Sequence, residues 1–127
     1  MKIDHIILDV NNRDESLNFY TQILGLAHEG KREVFEVVRV DENFVIQLAP
    51  FGAGASRHLA FSLDTDAFES TFGRIRAAGI EYGDTWNQPT NMKGPGLSGG
   101  AHGDTASVYC HDPSGHLIEI LHYPSAS

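Results

Sequence analysis

Residues 107–123 read SVYCHDPSGHLIEILHY, a pattern that predicts two strands joined by a tight turn. Asp112-Pro113-Ser114-Gly115 has the composition of that turn, because Pro fixes φ at its second position and Gly tolerates a positive φ at its fourth. The strand that follows, Leu117–Leu121, is apolar apart from Glu119 at its centre. A carboxylate among apolar neighbours is costly unless it is paired, protonated or bound to a metal. The rest of the chain should therefore supply a partner for this acid.

Working outward from this hairpin, the chain contains an internal repeat. Residues 4–10 (DHIILDV) resemble residues 57–63 (RHLAFSL), and each segment is followed by apolar residues at helical spacing. Gly25 and Gly79 are placed to end the two helices, as a left-handed position after a helix prefers glycine. Each copy then continues as a β-meander, which for the second copy closes with the hairpin quoted above. The repeat predicts an α+β fold with two strand–helix–meander halves.

Local signals set the bounds within each half. Asn12 is predicted to begin the first helix and Asp66 the second, because short polar side chains accept hydrogen bonds from the free N–H groups at a helix start. A glycine-rich insertion from about Thr85 to Gly103 distinguishes the second half. We therefore expect one domain over residues 1–127, made of modules at about 1–50 and 57–123.

Composition excludes several classes of partner. The formal net charge is −8 at pH 7, which argues against nucleic-acid binding and gives no support for binding to an anionic membrane. No apolar run approaches the ~20 residues that span a bilayer, and the N-terminus lacks a signal-peptide pattern. A single cysteine, Cys110, rules out an internal disulfide and favours a reducing compartment. These features predict a cytoplasmic protein.

Two histidines and an acid occupy corresponding places in the repeat. His5 and His58 begin the first strand of each half, and Gln47 in the first half corresponds to Glu119 in the second. Two imidazoles and one carboxylate are a common ligand set for a divalent first-row metal with open coordination positions. Gln47 could add a weak fourth ligand through its amide oxygen. The pattern therefore predicts a metal site formed by these four residues.

Simpler interpretations of these residues stay open. A histidine in a strand is usually an ordinary core or surface residue, and Glu119 could instead pair with Arg57 or Arg39. His111 and His116 are expected to be surface or hairpin residues, and replacing either should do little. The coincidence of two equivalent histidines with one inward acid favours the metal site over these alternatives.

Four segments of the chain resemble those of a known superfamily. They are residues 4–6 (DHI), 16–26 (SLNFYTQILGL), 58–61 (HLAF) and 112–119 (DPSGHLIE), the last matching a D-P-x-G-x-x-x-E run. The chain thus resembles the vicinal oxygen chelate superfamily, which includes glyoxalase I, fosfomycin-resistance thiol transferases, bleomycin-binding proteins and type I extradiol dioxygenases. The resemblance implies paired βαβββ modules in a curved, incomplete barrel around a metal, with His5, His58 and Glu119 as ligands. It also implies a homodimer, in which modules of one chain or of two chains build each cleft.

The resemblance also implies a choice of chemistry, with Fe²⁺, Mn²⁺, Zn²⁺ or Ni²⁺ as the ion. A two-His-one-carboxylate site can bind a chelating substrate and O₂, so a ring-cleaving dioxygenase is the first hypothesis. Tyr109 precedes Glu119 as the tyrosine near the metal does in such dioxygenases. His102, in the glycine-rich insertion, is the candidate acid/base or lid residue. Both also have simpler interpretations, as an aromatic residue of the meander and as an exposed loop residue.

Two other functions remain as alternatives. A lyase or thiol transferase acting on a small electrophile would use the metal as a Lewis acid. A glyoxalase-type isomerisation is less favoured, because Gln47 cannot take up a proton where that chemistry uses a carboxylate. A metal-free, bleomycin-type antibiotic-binding protein is the third hypothesis. Relatives of that kind lack the ligand set, whereas both histidines and the acid are present here.

The chain is expected to form a homodimer, because modules of ~50–60 residues are small and leave sheet edges to cover. Static light scattering at micromolar concentration should give about twice the chain mass of 13.9 kDa. A mass equal to that of a single chain would contradict this expectation.

Overall fold

The computed structural model describes residues 1–124. It contains two compact units, of which the first comprises Met1–Ser56 and Pro113–Gly115. The second comprises Arg57–Asp112 and the residues from His116 onward. Each unit holds one mixed β-sheet and one helical segment, so the predicted α+β class is confirmed. Within the described range, no helix has the length and apolar character needed to cross a membrane.

The first unit is a βαβββ module. Its elements are β1 His5–Asp9, α1 Arg13–Asn18 with a π-helical turn Phe19–Ile23, β2 Ala27–Arg32, β3 Phe35–Asp41 and β4 Phe44–Ala49. The sheet order is β1-β4-β3-β2, with β1 parallel to β4 and the other neighbours antiparallel. The strand β2 has no apolar pattern of its own, and it forms by pairing with β3 at the edge of the sheet.

Sequence signals at the two ends of the first helical segment are confirmed. The Asn12 side chain accepts a hydrogen bond of 2.9 Å from the N–H of Glu15, which satisfies one of the free donors of the first turn. Gly25 has φ of 80°, a left-handed conformation that favours glycine after a helix. The alternation of the strands buries Leu8 and Ile46 on one face of the sheet.

The second unit repeats the module and adds one strand. Its elements are β5 His58–Ser62, α2 Thr65–Ala77, β6 Tyr82–Gly83, β7 Gly96–Gly100, β8 Gly103–His111 and β9 Leu117–His122. The sheet order is β5-β9-β8-β6, and β7 pairs with β8 as well. The short strand β6 and the added β7 therefore share one edge of β8. The glycine-rich insertion expected from the sequence thus includes a paired strand.

The start of α2 differs from the expectation. The side chain of Asp64, rather than Asp66, caps the helix by accepting a hydrogen bond of 2.8 Å from the N–H of Ala67. Asp66 lies within the first turn, where its negative charge faces the positive end of the helix dipole. Both acids are thus favourable at this end of the helix, but only Asp64 has the extended backbone of a cap.

One face of the second sheet packs against α2. The apolar side of this helix contributes Phe68, Phe72 and Ile75, all of them buried. Cys110 lies on the strand beneath it, and burial raises the pKa of its thiol to about 12. Cys110 is therefore a buried thiol that keeps its proton at neutral pH.

The turn between β8 and β9 has the predicted geometry. Gly115 has φ of 86°, the conformation for which the sequence supplies a glycine. The carboxylate of Asp112 accepts a hydrogen bond of 2.8 Å from the N–H of His116, and the N–H of Asp112 donates to the carbonyl of His116 at 2.9 Å. These two bonds close the hairpin around Pro113 and Ser114.

His116 lies in the hairpin, which is one of the two expected positions, but it is buried, with 1% of its surface exposed. Its Nδ1 accepts a hydrogen bond of 3.0 Å from the N–H of Arg57, the residue just before β5. The imidazole therefore connects the start of one strand to the turn that leads into its neighbour. This contact joins residues far apart in sequence, which is why a local pattern did not reveal it.

Replacing His116 should therefore destabilise the fold. His116→Ala removes the acceptor of the Arg57 N–H, and we expect the free energy of unfolding in urea to fall by about 1–3 kcal/mol. His111→Ala is the matched control, because His111 is exposed in the same hairpin and its loss should change stability by less than about 0.5 kcal/mol. Equal stabilities of the two variants would contradict the assigned role.

Candidate functional site

The two sheets place their histidines and their central polar residues in the same register. The paired residues are His5 with Val45 in the first sheet, and His58 with Leu117 in the second. Gln47 and Glu119 each lie two positions further along the partner strand, so both face the same side of their sheet as the histidine. The residues that the sequence repeat aligns therefore occupy equivalent backbone positions in the two sheets.

The second unit brings His58 and Glu119 into contact. Nε2 of His58 lies 3.0 Å from Oε1 of Glu119, and the contact is a hydrogen bond when Nε2 carries the proton. The imidazole is half-exposed, whereas Glu119 is only 6% exposed. Two adjacent ligands on an ion at about 2.1 Å from each atom would have a similar separation. The pair thus offers a nitrogen and an oxygen already placed as neighbouring ligand atoms.

The other oxygen of Glu119 is held by a hydroxyl group. Ser107 Oγ donates a hydrogen bond of 2.8 Å to Oε2, and Thr105 Oγ1 lies 2.7 Å from Ser107 Oγ. Both hydroxyl residues are 0% exposed. The carboxylate is therefore fixed on one side by buried donors and turned on the other side toward His58.

Tyr109 completes this cluster from the adjacent strand. It pairs directly with Glu119 in the β8–β9 register, and its ring centroid lies 6.1 Å from that of His58. The phenol oxygen is 3.0 Å from Oγ of Ser98 on β7. Burial raises the pKa of Tyr109, the charge of Glu119 raises it further, and the hydrogen bond with Ser98 lowers it. At neutral pH the phenol is thus a neutral group that can donate a proton.

The first unit holds His5 and Gln47. Nδ1 of His5 lies 2.7 Å from Oδ2 of Asp4, both on exposed side chains. A carboxylate that accepts a hydrogen bond from Nδ1 leaves Nε2 as the nitrogen that can bind a metal. Gln47 is half-buried on the neighbouring strand. Each predicted ligand of this unit therefore lies on the face that the repeat assigns to it.

The structure gathers part of the predicted site. Over residues 1–124, no three His, Cys, Asp or Glu side chains form a group that could hold a metal ion. Of the predicted ligands, the imidazole of His58 and the carboxylate of Glu119 are in contact. Tyr109 lies beside both of them.

His102 is placed elsewhere in the second unit. It lies in the turn between β7 and β8, exposed, with its N–H donating to the hydroxyl of Tyr123 at 3.2 Å. At the usual rise per strand residue, β8 separates His102 from Tyr109 by roughly 20 Å. The structure therefore groups Tyr109 with Glu119 and leaves His102 apart from both.

Three hydroxyl residues of the cluster were missed from the sequence. Thr105 and Ser107 precede Tyr109 at alternate positions of β8, and Ser98 lies on the added strand β7. The alternation Thr-x-Ser-x-Tyr is the signal that could have revealed two of them, because it places three hydroxyls on one face of a strand. That face is the one which, in the neighbouring strand, carries Glu119.

Sequence comparison places the chain among known proteins. The family described as "Glyoxalase/Bleomycin resistance protein/Dioxygenase superfamily" matches residues 2–120. The "Virulence protein STM3117" of Salmonella typhimurium is 30% identical over 132 residues, covering 96% of this chain and 84% of that protein. A "Probable lactoylglutathione lyase" of Vibrio cholerae is 29% identical, covering 94% of this chain and 89% of that protein.

Comparison with solved structures finds the same fold. "Oxidase ChaP-H1" has a TM-score of 0.80 at 30% identity, and the alignment covers 100% of this chain and 99% of that one. A glyoxalase/dioxygenase from Nostoc punctiforme has a TM-score of 0.73 at 22% identity, covering 98% of this chain and 92% of that one. The predicted glyoxalase/dioxygenase-like fold is confirmed.

The raised pKa of Tyr109 can be measured directly. The tyrosinate absorbance of the wild type minus that of Tyr109→Phe should show a midpoint above the pKa of an exposed tyrosine, because the buried phenol keeps its proton to higher pH. Ser98→Ala should move this midpoint higher still, since the Ser98 hydrogen bond lowers the pKa. A midpoint at the ordinary tyrosine value would contradict the placement of the phenol beside Glu119.

Proposed function

The chain belongs to the glyoxalase/bleomycin resistance protein/dioxygenase superfamily, and we propose that it is a metal-dependent enzyme acting on a small substrate that chelates through two oxygens. The observation that carries this proposal is the His58–Glu119 pair, with ligand atoms 3.0 Å apart on neighbouring strands. A buried carboxylate facing an imidazole is an arrangement that a cation stabilises.

The proposed ligand set is His58 and Glu119 with His5, and Gln47 as a weak fourth ligand. His5 and Gln47 would come from the same chain or from the partner of a homodimer, which we expect to be cytoplasmic. Imidazole nitrogens with a carboxylate and an amide oxygen suit Fe²⁺, Mn²⁺, Zn²⁺ or Ni²⁺. When bound, such an ion would polarise the substrate oxygens and, as Fe²⁺, support chemistry with O₂.

The residues of the second unit favour oxidative chemistry. Tyr109 places a neutral phenol beside Glu119, and the Oη–H of this phenol can donate its proton to an oxygen of the substrate. The similarity to Oxidase ChaP-H1 supports the same direction. His102 is not included in this proposal, because β8 separates it from Tyr109. The first candidate is therefore a dioxygenase, including ring cleavage of a catechol.

A lyase or thiol transferase is the second candidate function. The similarity to a probable lactoylglutathione lyase supports it. Proton abstraction in such a reaction needs a base, and neither the amide of Gln47 nor the neutral phenol of Tyr109 provides one at neutral pH. A metal-free antibiotic-binding protein is disfavoured further, since it gives no reason for a buried carboxylate to face His58.

Oxygen uptake separates the two enzymatic candidates. The purified protein would be loaded anaerobically with Fe²⁺ and then given O₂ with a panel of catechols, or with hemithioacetals of glutathione under Ni²⁺ or Zn²⁺. Dioxygenase activity would consume O₂ in step with the catechol and depend on Fe²⁺. Turnover of a hemithioacetal without O₂ uptake would favour the lyase, and inertness toward both with tight binding of bleomycin would favour the binding protein.

Loss of the Glu119 charge should abolish tight metal binding. Glu119→Gln keeps the shape of the side chain, and we expect metal affinity to fall by more than roughly 100-fold, the upper end for residues that only orient a ligand. Chelator competition and elemental analysis measure the affinity, and circular dichroism checks the fold. Glu69→Gln is the matched control, because it removes the same charge from an exposed position of α2. Unchanged affinity in Glu119→Gln would reject the site.

A further inference from the structure

We propose that Ser107, supported by Thr105, is a positioning residue that makes Glu119 a ligand through one oxygen only. The inference rests on the proposed function, because it concerns how this carboxylate would meet the ion. It adds two residues to the site, neither of which would contact the ion or the substrate.

The hydrogen-bond directions follow from counting protons. A carboxylate has no proton to give, so Ser107 Oγ–H must be the donor in the 2.8 Å contact with Oε2 of Glu119. The single proton of Ser107 is then used, and Thr105 must donate in the 2.7 Å contact between the two hydroxyls. The other acceptor near Thr105, the carbonyl of Ser98, is more distant at 3.4 Å. The result is a directed chain from Thr105 through Ser107 to Glu119.

Burial makes this chain a constraint on geometry. Thr105 and Ser107 are both 0% exposed, so water does not compete for their hydroxyls. Oε2 is engaged by Ser107 while Oε1 lies 3.0 Å from Nε2 of His58. The two oxygens of Glu119 therefore have different roles, and only Oε1 is presented beside the imidazole.

The internal repeat provides a comparison within the same chain. In the first unit the position of Glu119 is taken by the neutral Gln47, which pairs with Val37 on β3. The residue that corresponds to Ser107 lies two positions before Val37 and is Phe35, which has no hydroxyl. The fold of the module thus does not require a hydroxyl at this position. In this chain the hydroxyl is present in the unit that has the carboxylate and absent from the unit that has the amide.

One-oxygen coordination by Glu119 has a consequence for the substrate. A carboxylate bound through both oxygens would occupy two coordination positions of an ion, whereas Glu119 held by Ser107 would occupy one. A substrate with two adjacent oxygens would then have one more position available for chelation. Ser107 would thereby favour chelating substrates over those with a single oxygen.

The test measures Co²⁺ binding to the full chain, as affinity by chelator competition and as the visible absorption spectrum. Ser107→Ala should lower the affinity roughly 10- to 100-fold, the range for residues that orient a ligand. Its spectrum should also weaken toward that of a higher coordination number, as Glu119 turns to bind through both oxygens. Ser16→Ala is the matched control, since Ser16 is another fully buried serine, in the first unit, and its loss should change neither reading.

A second pair of variants separates positioning from packing. Thr105→Val removes the hydroxyl at nearly constant shape and should lower the affinity less than Ser107→Ala does, whereas Thr105→Ser keeps the hydroxyl and should match the wild type. Wild-type affinity and spectrum in both Ser107→Ala and Thr105→Val would overturn the inference and leave the proposed function standing. Failure of the wild type itself to bind Co²⁺ would overturn both.

Discussion

The buried carboxylate of Glu119 is the constraint around which the second unit is arranged. A charged group at 6% exposure on a central strand is unfavourable unless each oxygen has a partner. Ser107 on one neighbouring strand meets one oxygen, and His58 on the other meets the second. The strand order β5-β9-β8 is what places these partners on either side of Glu119. The order of the strands therefore determines which side chains contact the two oxygens of Glu119.

The repeat explains why the two units differ in chemistry despite a shared backbone. Both present a histidine and a polar residue in equal register. In the first unit the polar residue is the neutral Gln47, and Phe35 occupies the position that corresponds to Ser107. In the second it is an acid surrounded by hydroxyls. The shared frame therefore carries a buried acid at this position in the second unit, whereas the buried acid of the first unit, Glu36, lies on β3 and contacts His28.

Much of this arrangement could be predicted from sequence, because its signals are local. The cap at Asn12 and the turn that contains Gly115 follow from residues a few positions apart, and the paired histidines follow from the internal repeat. Burial of His116 could not be predicted, since it depends on the N–H of Arg57, which is distant in the chain. The strand β2 has exposed, mostly polar residues and is defined only by its pairing with β3. The roles of Thr105 and Ser107 depend on Glu119, which shares their face from the adjacent strand.

The added strand β7 is a part of this arrangement whose sequence can vary. Ser98 reaches the phenol of Tyr109 from the glycine-rich strand β7 on one side of β8, whereas His58 and Glu119 lie on the paired strands β5 and β9 on the other side. A segment that pairs along a single border can change in length and composition without moving those two groups. Changes in β7 can therefore alter the proton affinity of the phenol while His58 and Glu119 keep their positions. A strand that can vary beside two side chains that stay in place is one way in which a single scaffold comes to serve several reactions.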